Sequence, residues 1–296
     1  MMKWFFRPIS FLTLMLPGVQ NAAYLYKTLG QDSGFTKKAD YLNLGYWKRK
    51  TTTLDEAATD MARLIADTVK MGNIDTVLDI GNGFADQDLL WAKEMQPKKI
   101  VGVNIAENQI KVAQEKIQNA SLEDTIQIKK GDATNLPFKE NQFDCVVALE
   151  SVMHIKPKKT VLKEAFRVLK PGGRLVFVDI AGVNTSLTLM SHLFQRLARK
   201  FWQIPAENLI DKETYKLQLH EEEFEEIQIT SIANQVFKPF LQFAKTDLNS
   251  RKKSHQFHWM YKLILRISIY VGLRVKTIPF DYLLIQAKKP FPKINC

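Results

Sequence analysis

Cysteine is nearly missing from this 296-residue chain: Cys145 lies inside an apolar run and Cys296 is the last residue. Two such positions exclude a disulfide framework and point to a reducing compartment, read here as the cytoplasm. Histidine is also scarce, with five residues, and neither Cys/His clusters nor paired carboxylates appear at ligand spacing. No metal is therefore expected. Long apolar runs are missing as well. Ile9–Leu16, between Pro8 and Pro17, is eight residues long, far short of the ~20 that span a bilayer. There is no internal repeat and no low-complexity segment. Lys3, Arg7 and the small residues Asn21-Ala22-Ala23 have parts of a signal peptide, but Trp4-Phe5-Phe6 falls between the charges. An amphipathic cap or a membrane-facing arm fits that order better.

Acidic residues are few at the two ends. Residues 1–53 hold eight Lys/Arg against two Asp, and residues 238–296 hold twelve against two, which leaves residues 54–237 with a net −5. An enzyme of nucleic acids would surround its site with positive charge, so a nucleic-acid partner is not expected. Basic ends that also carry aromatic and aliphatic residues suit peripheral contact with an anionic membrane. Two solvated basic ends are the plainer alternative.

A hydrophobic fraction of 46% supplies a large core. The centre of the pattern is Thr76-Val77-Leu78-Asp79-Ile80-Gly81-Asn82-Gly83, an apolar strand that runs into two glycines one residue apart. A helix-compatible segment, Asp86 to Met95, follows. Glycines at such a turn permit unusual backbone angles and close approach of a ligand to the main chain. Before it, Thr53-Leu54-Asp55-Glu56 has the form of a capping box. Leu54, Ala57, Ala58, Met61, Leu64, Ile65 and Thr68 mark one helical face, ending at Gly72-Asn73. After it, strands at 99–103, 126–130 and 143–149 alternate with helices at 107–119 and 158–169, the last closed by Pro171-Gly172-Gly173. A fifth strand covers 174–179. This alternation predicts right-handed β-α-β units in a parallel, doubly wound sheet, with ligands at the carboxyl ends of the strands. Those ends are polar: Asp79, Asn104, Asp132, Glu150 and Asp179. An inserted helix over 187–202 presents Met190, Leu193, Phe194, Leu197 and Phe201, and should face something apolar. Strands at 227–232 and 280–287 complete seven. Between them, 256–276 is largely apolar, with Lys262, Arg266 and Arg274 on a narrow stripe.

These motifs resemble the class I S-adenosylmethionine-dependent methyltransferases over about residues 41–235. The resemblance rests on Val77 to Gly83, Gly131-Asp132-Ala133, Leu136-Pro137-Phe138, Phe143-Asp144 and Arg167-Val168-Leu169-Lys170-Pro171-Gly172-Gly173-Arg174-Leu175, in that order. Leu42-Asn43-Leu44-Gly45-Tyr46-Trp47, Asp86-Gln87-Asp88-Leu89 and Ala148-Leu149-Glu150-Ser151 are most similar to small-molecule enzymes, in particular the sugar O-methyltransferases of macrolide biosynthesis. The resemblance implies an α/β, Rossmann-like methyltransferase: a doubly wound, mostly parallel seven-stranded sheet with an N-terminal and an inserted helical cap. Its parts would be a basic, aromatic arm and lid (1–53), a cofactor-binding core (54–180), and cap helices plus the last two strands (181–296).

The resemblance also implies S-adenosyl-L-methionine as cofactor. Gly81, Asn82 and Gly83 would bring main chain against it, Asp79 would face its ammonium group, Asp132 with Ala133 its adenine, and Glu150 would close the crevice. Two positions depart from the pattern. Ala85 replaces the third glycine. Asn104 stands where an acidic residue would take both ribose hydroxyls, and its amide offers an acceptor and donors without charge. For an alcohol acceptor a general base is needed. His154, four residues beyond Glu150, is the candidate, with Asp179 to orient it or share the proton; alternatively His154 caps its loop. The activity expected is O-methylation of a small hydrophobic or glycosylated molecule. The alternatives are C- or N-methylation of a lipid, sterol or prenyl substrate, and cofactor binding without catalysis.

Overall fold

The structure, a computed structural model, describes residues 36–250, 259–275 and 278–292. The arm with Trp4-Phe5-Phe6 and Cys296 lie outside these residues.

The first helix, α1 (Leu54–Val69), starts with the capping box that its sequence predicts, Thr53 accepting from Glu56 N–H and the Glu56 side chain accepting at the cap. It ends at Lys70, which adopts the left-handed conformation, two residues before the expected Gly72. Then come β1 (Thr76–Ile80), α2 (Asp86–Glu94), β2 (Lys99–Asn104), α3 (Glu107–Asn119), β3 (Ile126–Lys130) and β4 (Phe143–Leu149). A 3₁₀ turn over Val152–His154 leads into α4 (Lys158–Val168), which passes directly into β5 (Leu169–Ala181). Pro171-Gly172-Gly173 is thus part of a long strand rather than a loop that closes the helix. Gly172 N–H pairs with Lys289 O and Lys289 N–H with Gly173 O, so the backbone there finds ladder partners. The inserted α5 (Leu189–Phe201) precedes a 3₁₀ turn (Ala206–Asn208), α6 (Lys212–Glu221), β6 (Glu225–Ser231), α7 (Ala233–Ser250), α8 (Trp259–Arg274) and β7 (Asp281–Lys288).

The seven strands form one sheet in the order β3-β2-β1-β4-β5-β7-β6. β1 pairs parallel with β2 and β4, β2 with β3, and β4 with β5; β7 is antiparallel to both neighbours. This is the mostly parallel, doubly wound α/β sheet that the alternation predicts. Side chains alternate between the two faces, as strand geometry requires. Val77, Cys145, Val147, Val176 and Val178 join the apolar layer that includes α1, α2, α5 and α7. Leu78, Val146, Ala148, Leu175 and Phe177 join the layer on α4 and α6.

Two helices, α6 and α7, are not apparent from the sequence pattern. Pro239 interrupts α7 and reads as a helix breaker, yet the helix continues through it. A proline leaves the carbonyl four residues earlier without its intrahelical donor. Here that carbonyl, of Gln235, accepts from Trp47 N–H at 2.9 Å.

Candidate active site

The carboxyl ends of β1, β2 and β4 open onto a cavity of about 310 Å³. Gly81, Gly83, Asn104, Asp132, Ala133, Glu150 and His154 all line it. The topology explains why: the strand order reverses beside β1, between β2 and β4, and the loops there diverge. From the front the cavity is covered by Asp40 to Asn43. That cover is fixed by Gly45, whose φ of +78° favours glycine and whose Cβ would stand 2.4 Å from Ala57 Cβ. Tyr46 N–H donates to Ala57 O and Trp47 Nε1 to Leu44 O.

The two glycines after β1 do different work. Gly81, at φ +80°, is packed: a Cβ would lie 2.3 Å from Ser151 Cβ. Gly83, at φ +55°, faces open space, and an added Cβ would meet only Leu42 Cδ1 at 3.7 Å. Gly83 therefore leaves the room that a ligand needs to reach the main chain. Ala85 also takes the left-handed conformation, at φ 64°, so the chain keeps the turn of the third glycine without the glycine.

Asp79 and Asn82 lie behind the cavity rather than on its wall. Asp79 is fully buried and accepts from Gln87 Nε2 at 2.9 Å. The carboxyl of buried Asp88 lies beside it, with the Asn82 side chain against Asp88. Burial raises the Asp79 carboxyl to about 7, and burial together with the Asp79 charge raises Asp88 well above the usual range. The Asn82 side chain is buried against the backbone of Gly102.

Asn104 spends its amide on the protein. Its Nδ2 donates to Gln109 Oε1 at 2.8 Å and Gly83 O at 3.3 Å, and its Oδ1 accepts from Ala106 N–H at 3.0 Å. Gln109 is buried and lines the cavity, and its Nε2 has no partner. Sequence reasoning missed it. The only signal was its position, in the first turn of the helix after β2. At the rim, Asp132 Oδ1 accepts from both Thr134 N–H and its hydroxyl at 2.8 Å.

Glu150 follows β4 at φ 52°. It accepts from Leu44 N–H at 2.7 Å and from the Tyr282 hydroxyl, which ties the cover and β7 to the cavity wall. Burial pushes its carboxyl up to about 7. His154 also lines the cavity, its Nδ1 3.4 Å from Gln203 O. Burial pushes the imidazole down to about 4, so it is neutral at physiological pH. A proton on Nδ1, facing that carbonyl, makes Nε2 the basic nitrogen.

Asp179 is placed elsewhere. It is fully buried and accepts from Lys158 Nζ at 2.7 Å and from the Tyr215 hydroxyl. Lys158 also donates to Asn208 O at 2.8 Å, while Asn208 Nδ2 donates to Met153 O and Ile155 O at 2.8 Å each. Asp179 does not line the cavity; it acts on His154 through its charge, which favours the imidazolium, and through the loop that this network holds. Among the described residues, no His/Cys/Asp/Glu group could hold a metal ion.

A family described as a methyltransferase domain matches residues 78–177. Erythromycin 3''-O-methyltransferase of Saccharopolyspora erythraea is 32% identical over 275 residues, which cover 91% of this chain and 90% of that protein. The chain is a class I S-adenosylmethionine-dependent methyltransferase. Solved structures share the fold. Phosphoethanolamine N-methyltransferase 2 of Haemonchus contortus, in complex with S-adenosyl-L-methionine, superposes with a TM-score of 0.68 at 20% identity, covering 78% of this chain and 52% of that one. Geranyl diphosphate C-methyltransferase of Streptomyces coelicolor gives 0.66 at 15% identity, covering 88% and 94%. S-Adenosylmethionine is the cofactor of this methyltransferase. The cavity suits it: Gly83 leaves open space, and the buried Gln109 Nε2 is an unmatched donor on the wall.

Proposed function

We propose that this methyltransferase O-methylates a small hydrophobic or glycosylated alcohol bound at the His154 end of its cavity. The observation that carries the proposal is the neutral His154 on the cavity wall. The full-length similarity to an O-methyltransferase supports it. The cofactor, when bound, supplies an electrophilic methyl group for in-line displacement. Gly81 and Gly83 bring the main chain to it, Gln109 and Asn104 meet the ribose, and Asp132 with Ala133 the adenine. Asp79 and Asn82 support the turn from behind, and Glu150 closes the crevice over the positive end. His154 accepts the alcohol's proton at Nε2, and Asp179 keeps the His154 loop in place. A base near 4 has little driving force at pH 7, so its contribution belongs at the low end of the usual ~10²–10⁴-fold.

Ile155 and Pro205, near His154 and its partner Gln203 in the chain, give the acceptor end an apolar wall. A hydrophobic acceptor partitions into lipid, and peripheral contact of the basic protein with an anionic membrane would bring the two together. The test is transfer of isotope-labelled methyl to alcohol, amine and prenyl acceptors by the wild type and His154→Ala. Loss of alcohol methylation in the variant, with cofactor affinity retained, supports the proposal. Undiminished turnover favours C- or N-methylation of a lipid or prenyl substrate.

A further inference from the structure

The inserted helix α5 covers the core with only part of its circumference. Phe194 and Ala198 are buried, whereas Leu189, Met190, Leu193 and Leu197 are exposed, Leu189 by 88%. At 100° per residue these four fall on one side of the helix, and exposed Arg196 and Lys200 flank them. The helix faces something apolar, as its sequence predicts, through Phe194 and Ala198, while these four residues of its apolar surface stay exposed. The neighbouring α8 repeats the arrangement. It packs through Gly272 against Phe194 of α5 and Leu241 of α7, and it leaves Arg266, Ile267, Tyr270 and Arg274 exposed on its outer side. Arg274 lies 3.7 Å over the Tyr270 ring. Neither helix contains an Asp or Glu.

We infer that the outer faces of α5 and α8 form a docking surface for an anionic lipid bilayer. Four adjacent aliphatic side chains enter the acyl boundary, and the arginines and lysine beside them meet headgroup phosphates. The charge pattern selects this occupant. A second copy of the chain, docked about a two-fold axis, would set the same cations against one another. A nucleic acid would match the cations but leave the leucines without a partner. Insertion is shallow, because among the described residues no helix is long and apolar enough to cross a membrane. The surface also has a functional position. α5 runs directly into Gln203 and Pro205 on the cavity wall, so docking sets the acceptor end beside the lipid. The inference rests on the membrane contact proposed above and names its surface.

The test is sedimentation of the full chain with phosphatidylglycerol-containing vesicles and with pure phosphatidylcholine vesicles. Binding is expected to the anionic vesicles alone and to weaken with salt. Leu193→Asp/Leu197→Asp and Arg196→Glu/Lys200→Glu should each weaken it at least ~10-fold. Leu217→Asp, at an exposed site on α6, should change nothing. All variants should keep wild-type affinity for S-adenosylmethionine in solution, which shows that they fold. No binding of the wild type to anionic vesicles at low salt overturns the membrane contact itself. Wild-type binding that the α5 variants retain overturns the assignment to this surface. Methyl transfer to a soluble alcohol, measured without vesicles, reports on the proposed chemistry independently of either result.

Discussion

The backbone N–H of Trp47 donates to the carbonyl of Gln235, 2.9 Å away, at the position that Pro239 leaves without a donor inside α7. The cover of the active site is thereby fastened to a helix that would otherwise have an unsatisfied carbonyl. Pro239→Ala returns an N–H to that carbonyl and competes with Trp47. Amide exchange at Trp47 should then accelerate by about 10-fold or more, the equivalent of one lost hydrogen bond, while the melting temperature does not fall. Unchanged exchange at Trp47 would show that the cover is held by its other contacts alone.

Lys158 and Asp179 form an ion pair with side-chain exposures of 4% and 0%. Removing one member of a buried pair leaves an uncompensated charge. Asp179→Asn should therefore cost roughly 3–5 kcal/mol in urea unfolding, and Lys158→Met/Asp179→Leu should cost less than that single change. A variant Asp179→Asn of wild-type stability but without turnover would instead return Asp179 to the proton-transfer role that the sequence pattern suggests.

Glu150 sets a pH dependence. Its folded value, raised from 4.5 to about 7 by burial, lies above the unfolded one. Its contribution to stability is full below about 4.5 and is lost as pH rises through about 7. Glu150→Gln should flatten that loss, so the melting-temperature difference between variant and wild type should grow in the variant's favour between pH 5 and 7. Asp79 shifts in the same direction, and the slope will not vanish. A difference independent of pH would mean that Glu150 is ionised throughout.

Asn104 and Gln109 should act together on the cofactor. Asn104→Asp keeps the acceptor for Ala106 N–H and lets the Gln109 amide reverse to donate to it, so affinity should be kept or improved. Asn104→Leu and Gln109→Leu should each lose roughly 1–3 kcal/mol by calorimetry, through polar groups left without partners. Equal affinity in all three variants would remove both residues from the ribose site.

The sequence carries the sheet and the cavity wall well, for a physical reason. Buried strands and glycine turns obey short-range rules, so Val77 to Gly83 and the residues that end β2 and β4 can be read in isolation. What it hides depends on tertiary partners. Pro239 breaks a helix unless a distant N–H takes the freed carbonyl, and nothing near Pro239 announces Trp47. Asp179 reads as the end of its strand, where a site residue belongs, but the strand runs on to Ala181 and Lys158, 21 positions away, claims the carboxylate. Leu193 and Leu197 are spaced as core residues, and only the packing of Phe194 shows that the core lies on another side of the helix.

The most direct measurement is the fate of a labelled methyl group. The enzyme, incubated with methyl-labelled S-adenosylmethionine and a mixed panel of hydrophobic and glycosylated alcohols, amines and prenyl lipids, would be followed by mass spectrometry. The account predicts label on the oxygen of an alcohol, with transfer reduced about 10²-fold in His154→Ala at saturating cofactor. Label confined to carbon or nitrogen, or turnover untouched by that substitution, would contradict it.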